Sequence, residues 1–329
     1  MASDSLEARR RLFDLYSANL AHFRPEFSGK FACPICGRIF SREAVESDSL
    51  AVDLAHVFPE SCGGKVTTLT CRECNNRMGH EYDHHFAQER RLHEAMGGQG
   101  NEFVKGRVSY STGENAGVEV ARRGDGVHIN FISKQTHPDH LKRIWEMPTK
   151  SGDFQFTLTT RGLDDTRLYV ASLHTGYLSM FRYFGYEYCF GADTDWVRAI
   201  LTSELKERPK GILVCNIPQD AKFDRPADQM RQAVGVVRYV TGLKCMGATF
   251  PAPSRGLFGR LILLPGFGED GEKAFSQLKE MSGVVKFQFH ATFSDPLKRL
   301  ADPDYIAYGR TLWRDAFSDE PTGNRNDPV

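Results

Sequence analysis

The sequence predicts an α+β fold: an N-terminal helix, a small cysteine-stapled module, then a larger mixed α/β region whose topology stays open. Three observations predict it. The first 25 residues set apolar side chains at helical spacing and end in a proline. Two Cys-x-x-Cys pairs, Cys33-Pro-Ile-Cys36 and Cys71-Arg-Glu-Cys74, lie in one short polar stretch. Beyond residue 100, runs alternating apolar and polar residues are interspersed with helical ones.

Composition bounds the answer. A chain of 329 residues suits one large or two ordinary domains. With 40% apolar and 26% charged residues, a packed core is possible and global disorder is not expected. No apolar run approaches the ~20 residues of a membrane span. Met1-Ala-Ser-Asp-Ser lacks the basic-then-apolar order of a secretory leader, so a cytoplasmic protein is expected. Lys plus Arg equal Asp plus Glu, 42 each, which argues against a tight, promiscuous nucleic-acid coat. A local basic patch would still suffice for binding. The basic clusters at Arg9-Arg10-Arg11, Lys206 to Lys210 and Lys298-Arg299 read as solvated faces.

The elements follow in order. Ser5 to Phe23 reads as an amphipathic helix, with Leu6, Leu12, Phe13, Leu15, Tyr16, Leu20 and Phe23 on its apolar side and Pro25 as its stop. It packs within the chain by default, or on a second copy in a homodimer. The motif-bearing unit runs from about Phe31 to Met96. Gly97-Gly-Gln-Gly100 breaks the pattern, dividing the chain into domains 1–99 and 100–329. Strands are expected around Val118–Val120, Val127–Phe131 and Phe154–Leu158, then a core helix over Leu168–Tyr188. Asp193 can cap a shorter helix to about Leu205. Further strands are expected at Ile212–Cys215, Val236–Val240, Leu261–Leu264 and Val285–Phe289, with a helix over Glu272–Met281. The tail from about residue 320 is expected to be disordered. Cys62, Cys189, Cys215 and Cys245 read as small buried hydrophobes rather than disulfide partners.

The paired cysteines carry the strongest chemistry. A Cys-x-x-Cys turn brings two sulfurs within reach of one metal, and two such turns complete a thiolate tetrahedron with sulfurs about 2.3 Å from zinc. Cys33, Cys36, Cys71 and Cys74 are therefore expected to hold one closed, structural Zn²⁺. Between the pairs, a short apolar stretch ends near His56, Gly63-Gly64 suggests a turn, Val66 to Leu69 suggests a returning strand, and a helix follows from about Cys71. This is a ββα arrangement laid over a zinc knuckle.

That segment resembles the HNH endonuclease family. The likeness is to the branch reading His-(Ile/Val)-x-Pro, Gly-Gly, Leu-x-Cys-x-x-Cys-Asn-Asn, then Gly and Asp. The chain supplies His56, Pro59, Gly63, Gly64, Leu69, Cys71, Cys74, Asn75, Asn76, Gly79 and Asp83 in that order. The likeness spans roughly Phe31 to His85. It implies a metal-dependent nuclease acting on DNA, with RNA not excluded. His56 would be the general base that takes a proton from water. Asn75 would be a ligand of a catalytic Mg²⁺ or Mn²⁺ held at the scissile phosphate.

One position departs from the family. Many members carry an acidic residue or histidine just before the catalytic histidine, as a second metal ligand. This chain has Ala55 there. Asp53 could replace it, since alternate strand residues share a face. Asp83 or His80 could replace it from the helix that carries Asn75. The remaining alternative is that water fills the position. His84-His85 reads as a solvated helix face.

Two functions from different classes follow. One is an HNH nuclease gated by the region after residue 100, which would recognise a substrate feature, a small ligand or a partner protein; such a nuclease would suit restriction or anti-phage defence. The other is a catalytically inactive treble-clef zinc module that binds nucleic acid or protein.

Overall fold

The computed structural model describes residues 2–46, 51–97, 103–110, 115–124, 126–132, 134, 136–146, 156–160, 163–191, 194–203, 213–218, 234–239, 244–251, 257–267, 276–277 and 287–293. In chain order the elements are α1 (Ala2–Phe23), β1 (Phe31–Ala32), β2 (Ile39–Phe40), α2 (Glu43–Glu46), β3 (Val52–His56), β4 (Thr67–Cys71), α3 (Arg72–Met78) and α4 (His84–Met96). Then come β5 (Val104–Tyr110), β6 (Asn115–Arg123), β7 (Gly126–Phe131), α5 (Pro138–Glu146), β8 (Phe156–Thr160), α6 (Asp165–Gly191) and α7 (Asp195–Thr202). Five strands follow: β9 (Val214–Pro218), β10 (Val234–Tyr239), β11 (Lys244–Pro251), β12 (Leu257–Leu264) and β13 (Phe287–Phe293). The architecture is the expected mixture of α and β, with small sheets in the cysteine module and a larger region after it.

The chain forms two compact units. The first joins residues 1–83 to 166–252 and 257–329, and the second holds 84–165 with 253–256. The glycine-rich break at Gly97 to Gly100 falls between α4 and β5, inside the second unit, and residues 98–100 lie outside those described. The tail from residue 320, the Lys206 to Lys210 and Lys298-Arg299 clusters, and Asp193 also lie outside. So does most of the expected 272–281 helix, of which 276–277 are described as helical.

In the first unit, α1 forms because Leu12, Phe13, Tyr16 and Leu20 fall on one stripe, and all four are buried. It begins three residues before the expected start and ends at Phe23. That stripe packs on β1, β3 and β4, and the Tyr16 ring stacks on Phe181 of α6 with centroids 4.3 Å apart. The expected core helix is α6, longer by three residues at each end and kinked at Gly185. Two of its tyrosines reach back to the first Cys-x-x-Cys loop. The Tyr186 hydroxyl donates to the Ala32 carbonyl at 2.7 Å and accepts from the Ala32 amide at 3.0 Å. The Tyr177 hydroxyl donates to the Pro34 carbonyl at 2.8 Å. The five-stranded sheet is antiparallel, in the order β13-β10-β11-β12-β9.

The second unit is a four-stranded antiparallel sheet, order β7-β6-β5-β8, covered by α4 and α5. Val108, Ala116, Val118 and Val120 make its core, with Ile129 and Phe131 against them. On α4, His85 is 4% exposed rather than part of a solvated face, because it shares its buried side with Phe86 and Glu89.

Candidate functional site

The zinc knuckle is built first from backbone. The Cys33 amide donates to the Arg38 carbonyl and the Gly37 amide to the Cys33 carbonyl, both at 2.8 Å, closing a tight loop between β1 and β2. The second pair straddles the end of β4: Cys71 is the N-cap of α3, and Cys74 lies one turn in. All four sulfurs lie within 4.8 Å of one another, with Cys36 and Cys71 Sγ 3.7 Å apart. Zinc–sulfur bonds of 2.3 Å give a tetrahedral edge of about 3.8 Å, so the four thiols fit a structural zinc ion.

Crowding splits the thiols in the free protein. Hydrogen bonds from Cys33, Cys71 and Cys74 pull Cys36 far below the usual thiol range, while burial pushes Cys33 up. Arg38, which the sequence reading did not single out, meets the resulting negative charge. Its Nε donates to Cys36 Sγ at 3.4 Å and its Nη2 to Cys71 Sγ at 3.2 Å, and the same Nη2 pairs with Glu73 at 2.7 Å. Four thiolates around a divalent ion leave a net double negative charge, which this guanidinium partly offsets.

β3 and β4 pair antiparallel, with His56 opposite Thr67, Ala55 opposite Thr68, Leu54 opposite Leu69 and Val52 opposite Cys71. The cysteine at the end of β4 thus fixes the register that sets His56 at the other end of the hairpin. The connection passes Pro59 and a 3-10 turn over Glu60–Cys62. Gly63 then takes φ 92°, a left-handed conformation that glycine adopts without strain. Gly64 faces a different constraint: a Cβ there would lie 1.7 Å from the Phe58 carbonyl oxygen. The Gly-Gly pair is needed for two separate reasons.

His56 is half-buried, its side chain 35% exposed, with Nε2 3.9 Å from the Glu60 carboxylate. That separation is too long for a direct hydrogen bond. Asn75 projects from α3, and its Nδ2 donates to the Leu54 carbonyl at 3.3 Å, tying the helix to the strand that carries His56. The amide oxygen is the atom that suits a hard cation.

The candidates for the second ligand scatter. Asp53 accepts from the Leu54 amide at 2.8 Å and lies 3.6 Å from Arg9 of α1. It is three residues from His56, and so on the opposite strand face. Arg9, read from the sequence as part of a solvated cluster, is 9% exposed because it covers this carboxylate. Ala55 is 1% exposed, on the face whose Thr68 bonds Tyr16 of α1 at 2.7 Å. An acid at 55 would be buried there.

His80 is exposed on a π-helical turn, Gly79–Asp83, which follows α3. Asp83 lies 3.9 Å from His174 Nδ1 of α6, a partner the sequence reading missed. Desolvation pushes Asp83 up to about 7, and burial lowers His174 to about 3. Among the described residues, the four cysteines are the one group of three or more His, Cys, Asp or Glu side chains placed to share a metal.

Residues 33–90 match the family model described as HNH endonuclease. The match covers both cysteine pairs, His56, the Gly-Gly turn and Asn75. It places this segment among nucleases and implies nucleic acid as its substrate class. No curated protein and no solved structure matches the chain. No helix among the described residues is long and apolar enough to cross a membrane.

Proposed function

We propose that the protein is a metal-dependent HNH endonuclease that hydrolyses DNA phosphodiester bonds. The observation that carries this reading is the placement of a solvent-accessible His56 at the open end of a cysteine-clamped ββα hairpin, inside the segment that matches the nuclease family. His56 takes the proton from the attacking water through a ring nitrogen open to solvent. Asn75 offers its amide oxygen to a magnesium or manganese ion while its Nδ2 holds Leu54. When bound, that ion would stabilise charge on the scissile phosphate and the leaving 3′ oxygen.

Asp53 is engaged by Arg9 and Asp83 lies against His174, so neither carboxylate is assigned to the ion. Water completes its shell, which hard cations tolerate. The test is nicking of supercoiled plasmid with manganese, comparing wild type with His56→Ala after EDTA dialysis and metal re-addition. Metal-restored cleavage by the wild type alone supports the reading. Cleavage without divalent cation, or equal cleavage by both proteins, overturns it. The missing carboxylate at Ala55 favours a second reading, an inactive binding module, which predicts DNA retention without cleavage at any metal concentration.

A further inference from the structure

A cavity of about 190 Å³ lies within the first unit, beside the loop that follows His56. Val57 and Phe58 form one wall, and Gly64 to Val66, just before β4, form another. α6 and the five-stranded sheet close it. The volume is below the roughly 300–1,000 Å³ that encloses drug-sized ligands, so it suits one ring system.

Its lining has three chemical parts. Phe58, Tyr183 and Phe250 provide aromatic surface, with the two phenylalanine rings 5.2 Å apart. Thr175, Ser179 and Thr249 provide hydroxyls. Among the described residues, the charged side chains that line it, Lys65 and Arg182, are both cationic. Arg182 is fixed in place: its Nη1 donates to the Thr67 carbonyl at 2.9 Å, and Thr67 is the register partner of His56.

An independent observation points to a missing ligand. Thr175 is 1% exposed, and its hydroxyl has no hydrogen-bond partner among the described residues. A buried unpaired hydroxyl is destabilising, because it gives up its bonds to water and gains none. Apolar packing would have been served by valine at that place. A hydroxyl kept there, on the wall of a cavity, is explained by a polar edge that enters it.

We propose that this cavity binds the base of a nucleotide, with ring faces against the aromatic wall, the base edge at Thr175 and Ser179, and the phosphate at Lys65 and Arg182. The base can come from a polynucleotide, unstacked from its strand, or from a free mononucleotide. Only the first source rests on the nuclease reading. Aromatic stacking and cationic contact serve both.

The test uses full-length, zinc-loaded His56→Ala protein, so that cleavage plays no part. In one arm, calorimetry measures nucleoside monophosphates, with inorganic phosphate as control. In the other, anisotropy measures oligonucleotides with and without an abasic site at successive positions. Thr175→Val removes the hydroxyl and keeps the shape. It should weaken binding about tenfold in the arm that supplies the base, the equivalent of ~1.4 kcal/mol. The melting temperature of its free form should hold or rise, because an unpaired polar group is gone. Should that variant fail to fold, Ser179→Ala is measured instead, with a several-fold loss expected.

An abasic penalty that Thr175→Val abolishes identifies the polynucleotide source. A monophosphate affinity that Thr175→Val abolishes identifies the free nucleotide. Equal binding of phosphate and monophosphate with no abasic penalty, or binding untouched by the hydroxyl variants in both arms, overturns the proposal. Plasmid cleavage is scored separately on the wild type, so the pocket and the nuclease reading fail by different results.

Discussion

The two ends of the ββα hairpin are held very differently. At the cysteine end, four thiols converge, Arg38 bridges two of them, and Tyr186 and Tyr177 pin the backbone of the first loop. At the His56 end, an exposed glutamate lies 3.9 Å from the imidazole, one hydrogen bond from Asn75 ties helix to strand, and Arg182 holds the Thr67 carbonyl opposite. One end is shut around four thiols; the other presents a side chain open to solvent. A structural metal needs a closed shell, whereas under the proposed nuclease reading a reacting phosphate and its ion must enter and leave. On that reading the same short hairpin serves both, because antiparallel register relates the clamp at Cys71 to the position of His56.

Breaking the clamped end should have the largest effect. Cys71→Ser leaves three thiolates at the junction of β4 and α3. Small zinc modules draw about 10–16 kcal/mol of apparent binding energy from the metal at neutral pH. Elemental analysis should find one zinc per wild-type chain and almost none in the variant, whose melting transition for this unit should vanish. A folded, fully active Cys71→Ser protein would remove the zinc assignment.

Breaking the open end should abolish chemistry and spare the fold. His56→Ala should reduce cleavage by ~10²–10⁴-fold, the usual worth of a general base, with zinc content and melting temperature close to wild type. Collapse of the fold would instead make His56 a packing residue. Asn75→Ala should act more mildly and in two ways. It loses the bond to the Leu54 carbonyl, about 0.5–1.5 kcal/mol of stability, and raises the manganese needed for half-maximal cleavage. Asn75→Asp separates these effects, since it keeps the oxygen and loses the donor. It should restore the metal response without restoring the stability, and an unmoved metal titration in both variants would take Asn75 out of the ion's shell.

The cysteine module was legible because its constraints are local in sequence. Spacing alone brought Cys33, Cys36, Cys71 and Cys74 together, and the Gly-Gly turn announced a backbone that side chains could not follow. What supports the module was not legible. Tyr186 meets Ala32 across 154 residues, and nothing in either segment marks the other. The α6 helix was read correctly as a core element, yet its partner could not be read from its own periodicity. β11 was missed because Cys245 to Phe250 are buried throughout, which erases the alternation that marks a half-exposed strand. β5 was missed because Gly106 interrupts the apolar face that Val104 and Val108 begin. Arg9 shows the opposite failure: three consecutive arginines look alike in sequence, and only the Asp53 contact distinguishes one of them.

The sharpest test of how the π-helical turn after α3 is held concerns Asp83 and His174. Desolvation raises Asp83 from 3.8 to about 7, so its contribution to stability is present below pH 3.8 and lost as pH rises through 7. Burial lowers His174 from 6.5 to about 3, so its contribution is present above pH 6.5 and lost as pH falls toward 3. Between about pH 4 and 6.5 the unfolded pair holds one proton, on the imidazole, and the folded pair also holds one, on the carboxyl. No proton is exchanged on folding, and the two slopes cancel. Asp83→Asn removes one slope and exposes the other. Its stability, followed by urea unfolding, should exceed wild type near pH 7, where the buried carboxyl is penalised, and fall below pH 6.5 to meet the wild-type value near pH 4, while the wild type shows no such decline from this pair. A variant whose pH dependence parallels the wild type from pH 7 to 4 would mean that the two groups titrate independently of their burial, and that the turn is held by something other than this contact.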